Sequence, residues 1–189
     1  EGAIGVEEGI RRQLDLIGLG LEGMIRALDE IVCPRDGLDD LLRHCRSEGY
    51  VFEVTSAGLD FYIRHFLEQR GWGDIAVIAP RCERAADGLR VTLPICRYTD
   101  VKNFKEDRVK HYQELGYRVV YMGDGASDLP AAARADLALL IRGGDLELLM
   151  RNSSTPHHVI DDLGEAVDLL SGRGGGNVSV TSSGSPSLP

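Results

Sequence analysis

Two aspartates four residues apart, Asp124 and Asp128, flank the glycine turn in "YMGDGASDLPAAARAD" at positions 121–136. The apolar run Val119-Val120-Tyr121-Met122 reads as a strand leading in, and the alanine-rich run beyond reads as a helix. A carboxylate pair at the C-terminal end of a strand suits a hard cation such as Mg²⁺, which takes a few protein oxygens together with water and phosphate. Two other junctions carry complementary groups. In "VFEVTSAGLDFYI" a strand delivers the hydroxyls of Thr55 and Ser56, and the backbone N–H of Ala57, to a helix start, where a phosphate oxygen is readily held. In "NFKEDRV" Lys105 opens a helix and offers a point charge to a phosphate. Each residue alone has a plain structural use: Ser56 and Asp128 as helix caps, Lys105 as a solvated side chain, Gly-Asp-Gly as an ordinary turn. Their order, each at the C-terminal edge of a strand, is what makes them a candidate site.

The positions of these junctions follow from the elements around them. Val6, Ile10, Leu14, Ile17, Leu21, Met24, Ile25 and Leu28 keep helical spacing, interrupted at Gly18 and Gly20, so two helices are expected over 6–31. A helix is expected at 37–48 with Asp36 as its N-cap, then a strand at 50–55, a helix at 59–71 and a strand at 75–79. Residues 80–100 are less regular, with a short hairpin or edge strand around "LRVTLP". A helix at 104–116, a strand at 118–122, a short helix at 127–135 and a strand at 136–141 follow, and helices near 144–150 and 161–171 close the ordered part. Strands alternating with helices predict an α/β fold with a mainly parallel sheet, whose strand C-termini share one edge where ligands bind. The last residues, "SGRGGGNVSVTSSGSPSLP", read as a flexible tail over 172–189.

Composition narrows the function. The chain has 189 residues, 43% hydrophobic, enough for a packed core, and its net charge of −9 argues against a nucleic-acid backbone as partner. No apolar stretch approaches the length of a membrane span. Cys33, Cys45, Cys82 and Cys96 show neither Cys-x-x-Cys nor Cys/His ligand spacing, which predicts reduced thiols in a cytoplasmic protein.

The three junctions together resemble the motifs of the haloacid dehalogenase (HAD) superfamily, in particular its phosphoserine-phosphatase-like branch and the 2-hydroxy-3-keto-5-methylthiopentenyl-1-phosphate phosphatases. "EVTSAGLDFYI" resembles the second motif, "KEDRV" the third and "GDGASD" the fourth. The resemblance implies a Rossmann-like three-layer sandwich, Mg²⁺ as cofactor and a small phosphorylated metabolite as substrate. It implies that Ser56 binds phosphate and that Lys105, with Lys102 as the alternative, holds phosphate and the nucleophile's charge. It implies that Asp124 ligates the metal and that Asp128 either ligates it or orients the lysine. Residues 1–32 are similar to the later part of the helical cap found in this branch, leaving 33–171 as the core.

One motif of that family is missing. The nucleophile belongs to an Asp-x-Asp at the end of the first, central strand, and no Asp-x-Asp occurs anywhere in this sequence. The expectation is therefore an N-terminally incomplete, Mg²⁺-dependent phosphomonoesterase, inactive alone, whose missing strand is compensated by direct pairing of its neighbours, by another chain or homodimer, by an upstream segment or, as a remote option, by the strand-like "NVSVTS" of the tail (177–182). The alternative is a catalytically silent relative serving as a binding or structural subunit. A receiver-type signalling domain is disfavoured, because its acidic pair would lie early in the chain, where only helix-like pattern occurs.

Overall fold

The computed structural model of the protein describes residue 12, residues 20–85 and residues 88–172. The expected flexible tail and most of the first expected helix lie outside these residues. Helix α1 (Leu21–Asp29) begins directly after Gly20, where the break was expected, and α2 (Leu38–Ser47) leads to strand β1 (Glu53–Thr55). Helix α3 (Asp60–Glu68), β2 (Ala76–Ile78) and the hairpin β3 (Arg81–Ala85) and β4 (Gly88–Thr92) follow. Next come α4 (Phe104–Glu114), β5 (Val120–Gly123), a 3₁₀ turn at Ala126–Asp128 and α5 (Leu129–Arg134). Strand β6 (Leu137–Ile141), α6 (Asp145–Met150), β7 (His157–Ile160) and α7 (Leu163–Leu170) complete the order.

Strands β5, β6 and β7 form one parallel sheet, with Tyr121 opposite Ala138 and Leu140 opposite Val159. Strand β6 is buried along its whole length, as expected of a strand covered on both faces. Its alternation divides the core. Leu137, Leu139 and Ile141 pack with Leu41 and Cys45 of α2 and Ala166 of α7. Ala138 and Leu140 pack on the other side with Val109 of α4, Ala131 and Ala132 of α5, and Leu146 and Met150 of α6. Helices on both sides of a parallel sheet make the three layers that the sequence predicts.

Among the described residues strand β1 pairs with β2 alone, in parallel, from Glu53 opposite Ala76 to Thr55 opposite Ile78. Among the described residues no ladder joins β1 to β5, so direct pairing of the two strands is not the arrangement adopted. Two other ties hold β1 to the main layer. Phe52 packs against both the α2–α7 cluster and the cluster around Leu42, Leu67 and Trp72. Glu53 accepts two hydrogen bonds from Arg108 of α4, at 2.8 and 2.7 Å, and a third from Tyr112 at 3.1 Å. Because one fork of donors meets one carboxylate in a largely buried place, this pair fixes β1 relative to the helix that carries Lys105.

Local differences from expectation have physical causes. Asp36 does not cap α2. The cap position is Gly37, in the left-handed region at φ 81, and the Asp36 carbonyl instead accepts the N–H of Leu163 at the start of α7. Strand β7, "HHVI", carries too few apolar residues to register as a strand in sequence, and it forms because β6 offers it a free edge. The irregular segment 80–100 does contain the expected hairpin, from Arg81 opposite Thr92 to Ala85 opposite Gly88. Met24 of α1 packs on Cys82 and Val91 of this hairpin, so the described part of the N-terminal helical region has its own small core. No helix among the described residues is long and apolar enough to cross a membrane.

Candidate functional site

The C-terminal ends of β1 and β5 open onto a cleft of about 270 Å³ lined by Thr55, Ser56, Lys105, Asp124, Asp128 and Arg35, among others. Five of the residues singled out in sequence therefore meet in one place. Ala57 is exposed and does not line the cleft, and Lys102 is exposed on the approach to α4. Between the two lysines, geometry places only Lys105 in the cleft.

Lys105 reaches the cleft because its helix is started by its own sequence. The side chain of Asn103 accepts hydrogen bonds from the N–H groups of Lys105 and Glu106, a normal N-cap, while its amide donates to the Ser127 carbonyl at 3.0 Å. The cap thus anchors α4 to the turn that carries Asp128. From this start the Lys105 ammonium donates to Asp128 Oδ1 at 2.5 Å and to Ser127 Oγ at 3.0 Å. Both members of the Lys105–Asp128 pair are nearly enclosed, with 8% and 9% of their side chains exposed.

The rest of Asp128 is also engaged. Oδ1 accepts from the Tyr121 hydroxyl at 2.7 Å, and Oδ2 from the N–H groups of Asp124 at 3.2 Å and Gly125 at 2.9 Å. Burial pushes the Asp128 carboxyl up, but Lys105, then Tyr121 and the Gly125 N–H, outweigh it and hold the group below the ordinary carboxylate range. Burial and then the Asp128 charge push the Tyr121 phenol well up, so it remains a donor. Asp128 accordingly sits as a clamp that orients Lys105 and ties the Asp124 turn, with both oxygens occupied by protein donors.

Asp124 is different. Its side chain is 52% exposed, and Oδ2 accepts from Arg35 Nη2 at 2.5 Å. A hard carboxylate facing an open cleft is the donor type Mg²⁺ prefers, and a guanidinium already seated there shows that the position attracts positive charge. Among the described residues, no group of three or more His, Cys, Asp or Glu is gathered to hold a metal.

Glycine makes the Asp124 turn possible. A Cβ on Gly144 would stand 2.4 Å from the Asp124 carbonyl oxygen and 2.9 Å from its Cβ. The N–H of Leu146 donates to that carbonyl at 3.0 Å, so the turn is pinned by the start of α6. Gly144→Ala is expected to destabilise the fold by about 1–3 kcal/mol, because backbone rather than a movable side chain must give way. Urea denaturation checks this, and a variant as stable as the parent would contradict the close approach.

Three participants escaped the sequence reading: Arg35, Tyr121 and Asn103. Tyr121, a polar group inside an apolar strand three residues before Asp124, was a usable signal, as was Asn103 at a helix start with Glu106 three residues on. Nothing local to "CPRDG" marks Arg35, whose partner lies 89 residues away.

Parallel strands of an α/β fold whose C-terminal ends bring a hydroxyl pair and two aspartates to a clamped helix lysine have the layout of the haloacid dehalogenase-like phosphatases. The family model for haloacid dehalogenase-like hydrolases matches residues 6–133, more than half of the chain, and the chain belongs to that family. A protein of Brevibacillus brevis named 2-hydroxy-3-keto-5-methylthiopentenyl-1-phosphate phosphatase is 23% identical over 175 residues, covering 83% of this chain and 75% of its own. The crystal structure of a phosphoserine phosphatase in apo form superposes with a TM-score of 0.66 at 21% identity, over 86% of this chain and 80% of that one. A phospho-aspartyl intermediate analogue of phosphoserine phosphatase gives 0.65 at 20% identity, over 88% and 78%. These likenesses establish the fold.

Proposed function

We propose that the chain is the phosphate- and cation-holding part of a Mg²⁺-dependent phosphomonoester hydrolase that acts through an aspartyl-phosphate. The observation that carries this reading is the convergence of Thr55, Ser56, Lys105, Asp124 and Asp128 on one cleft from three separate junctions. The family relation and the name of the B. brevis relative support a small phosphorylated metabolite as substrate.

In this reading the Ser56 and Thr55 hydroxyls orient two phosphoryl oxygens at the end of β1. Ser56 is suited to this, because its Oγ already accepts the Gly58 N–H at 3.0 Å and its proton is left for a ligand. Lys105, held in place by Asp128, places its charge against the phosphoryl group and steadies it as bonds to phosphorus change. Asp124 holds the cation, which when bound neutralises phosphoryl charge and keeps the group in line for attack.

The attacking carboxylate comes from outside the cleft's described residues. Asp128 is saturated with donors and clamps the lysine, and Asp124 is the cation's partner, so neither is free to attack. The edges of β1 and β5 that lack a ladder offer a place for a further strand bearing an aspartate, supplied by sequence upstream in the gene or by another chain. That aspartate attacks phosphorus, the P–O bond to the alcohol breaks, and water then releases phosphate from the aspartyl ester. This reading takes the described part of residues 1–32 as belonging to a substrate-covering cap and 33–171 as the core.

An aryl phosphate assay with Mg²⁺ tests this on the present chain and on a version extended upstream in its gene. The expected result is turnover only in the extended version, reduced about 100-fold or more by Asp124→Asn. Silence in both would favour a non-catalytic binding role. Turnover in the short chain would mean that it contains its own nucleophile.

A further inference from the structure

The two cationic side chains that line the cleft are divided between its two aspartates. Lys105 is committed to Asp128 and is nearly enclosed, so it cannot leave without stranding a buried carboxylate. Arg35 is on Asp124 and is 49% exposed, so its guanidinium can leave for solvent at little cost. Arg35 also lies in the connection between α1 and α2, outside any helix or strand.

We infer that Arg35 is an exchangeable occupant of the cation position, which a divalent ion must displace from Asp124 and which then turns its freed donors to the phosphoryl ligand. This rests on the reading of Asp124 as the cation's ligand given above. The reason is both steric and electrostatic. Arg35 Nη2, 2.5 Å from Asp124 Oδ2, covers the approach to that oxygen, and a divalent ion at the same carboxylate would face an adjacent positive charge. Mg²⁺ also prefers near-octahedral oxygen ligands at short distance, and a guanidinium held on the same carboxylate crowds that shell.

Displacement changes what Arg35 can do. A guanidinium has five N–H donors in a fixed fork suited to phosphate oxygens. Released from Asp124 but still tethered beside Thr55 and Ser56, it faces the same space that the phosphoryl group occupies. Cation and phosphate binding then become linked through one side chain, each favouring the other. In the absence of both ligands the ion pair keeps Asp124 neutralised, which offsets its repulsion with the nearby Asp128 carboxylate.

Manganese(II) binding, followed by electron paramagnetic resonance of the free ion, tests the inference on the full chain and on Arg35→Gln, with and without inorganic phosphate. Without phosphate, Arg35→Gln is expected to bind Mn²⁺ about fivefold more tightly than the parent, the scale of losing one half-exposed ion pair. Phosphate is expected to tighten Mn²⁺ binding in the parent, and to do so less in the variant. The double variant Arg35→Gln/Asp124→Asn should lose the gained binding, which locates it at Asp124. An Arg35→Gln chain that binds Mn²⁺ no better than the parent, while Asp124→Asn still abolishes binding, overturns the exchange and leaves the site reading standing. No binding in either chain overturns both, and equal phosphate enhancement in the two chains overturns the second role of Arg35. An unchanged melting curve for Arg35→Gln confirms that the comparison is between folded proteins.

Discussion

Replacing Lys105 with methionine is expected to destabilise the protein by about 3 kcal/mol at neutral pH, the scale of breaking a buried ion pair from one side. Methionine fills similar volume, so the loss is electrostatic rather than a packing defect. What remains is Asp128, a buried carboxylate still accepting hydrogen bonds from Tyr121, Asp124 and Gly125 but without its cation. Those three donors are why the loss is placed at the low end of the range for such pairs. The pH dependence identifies the cause. In the parent, Asp128 is held below the ordinary carboxylate range, so its contribution is present above the unfolded value of about 3.9 and fades as pH falls through the folded value. In Lys105→Met the burial that raises this group remains while its main opposing partner is gone, so its carboxyl protonates at higher pH. The stability gap between parent and variant should therefore be widest near neutral pH and should narrow as the solution approaches pH 4. Urea denaturation at several pH values measures it. A gap that does not change with pH would mean that Lys105 acts through packing rather than charge. Adding Asp128→Asn to Lys105→Met should recover about 1–2 kcal/mol at neutral pH, since a neutral amide no longer leaves a charge buried. Phosphate affinity should fall in both variants, because the cleft loses its fixed cation.

Gly37→Ala is expected to cost about 3 kcal/mol or more, by two mechanisms that add. Gly37 sits at φ 81, where a side chain is strained by about 1–3 kcal/mol. A Cβ there would also stand 2.3 Å from the Gly164 nitrogen and 2.8 Å from the Leu163 carbonyl carbon, and overpacking of this kind adds about 1–3 kcal/mol. Both neighbours are backbone in the first turn of α7, so no rotamer change relieves the contact and α2 must separate from α7. Gly49→Ala provides the comparison. Gly49 has a similar φ of 71, but a Cβ there would meet nothing within 4 Å, so only the conformational part should appear. Equal losses for the two variants would show that the close packing of α2 on α7 is not what makes Gly37 necessary. Hydrogen exchange at the Leu163 N–H, which donates to the Asp36 carbonyl at 2.9 Å, should quicken in Gly37→Ala. Arg35, two residues before Gly37, should lose its fixed placement on Asp124 in the same variant.

These expectations depend unequally on sequence and on structure. The alternation of strands and helices, the order of the three motif-bearing junctions and the buried character of β6 follow from patterns a few residues long. Hydrophobic periodicity and Gly-Asp-Gly turns act locally, and they are legible because the forces behind them are local. The resemblance to haloacid dehalogenase-like motifs draws on the same short stretches, and the family match agrees with it.

Tertiary structure decided what depends on which distant residues meet. It distinguished the two aspartates: Asp128 lies in a buried cage of four donors, while Asp124 stands half in solvent against Arg35. It brought Lys105 rather than Lys102 into the cleft, and it left Ala57 outside. It joined β1 to the helix of Lys105 through Glu53 and Arg108 rather than to β5 through a ladder. Residue types and spacing were enough to mark out the candidate phosphate site, because each strand-to-helix junction is built from neighbours in the chain. The solvent exposure and partner of each site residue were decided only by the fold, because they arise from contacts between segments tens of residues apart.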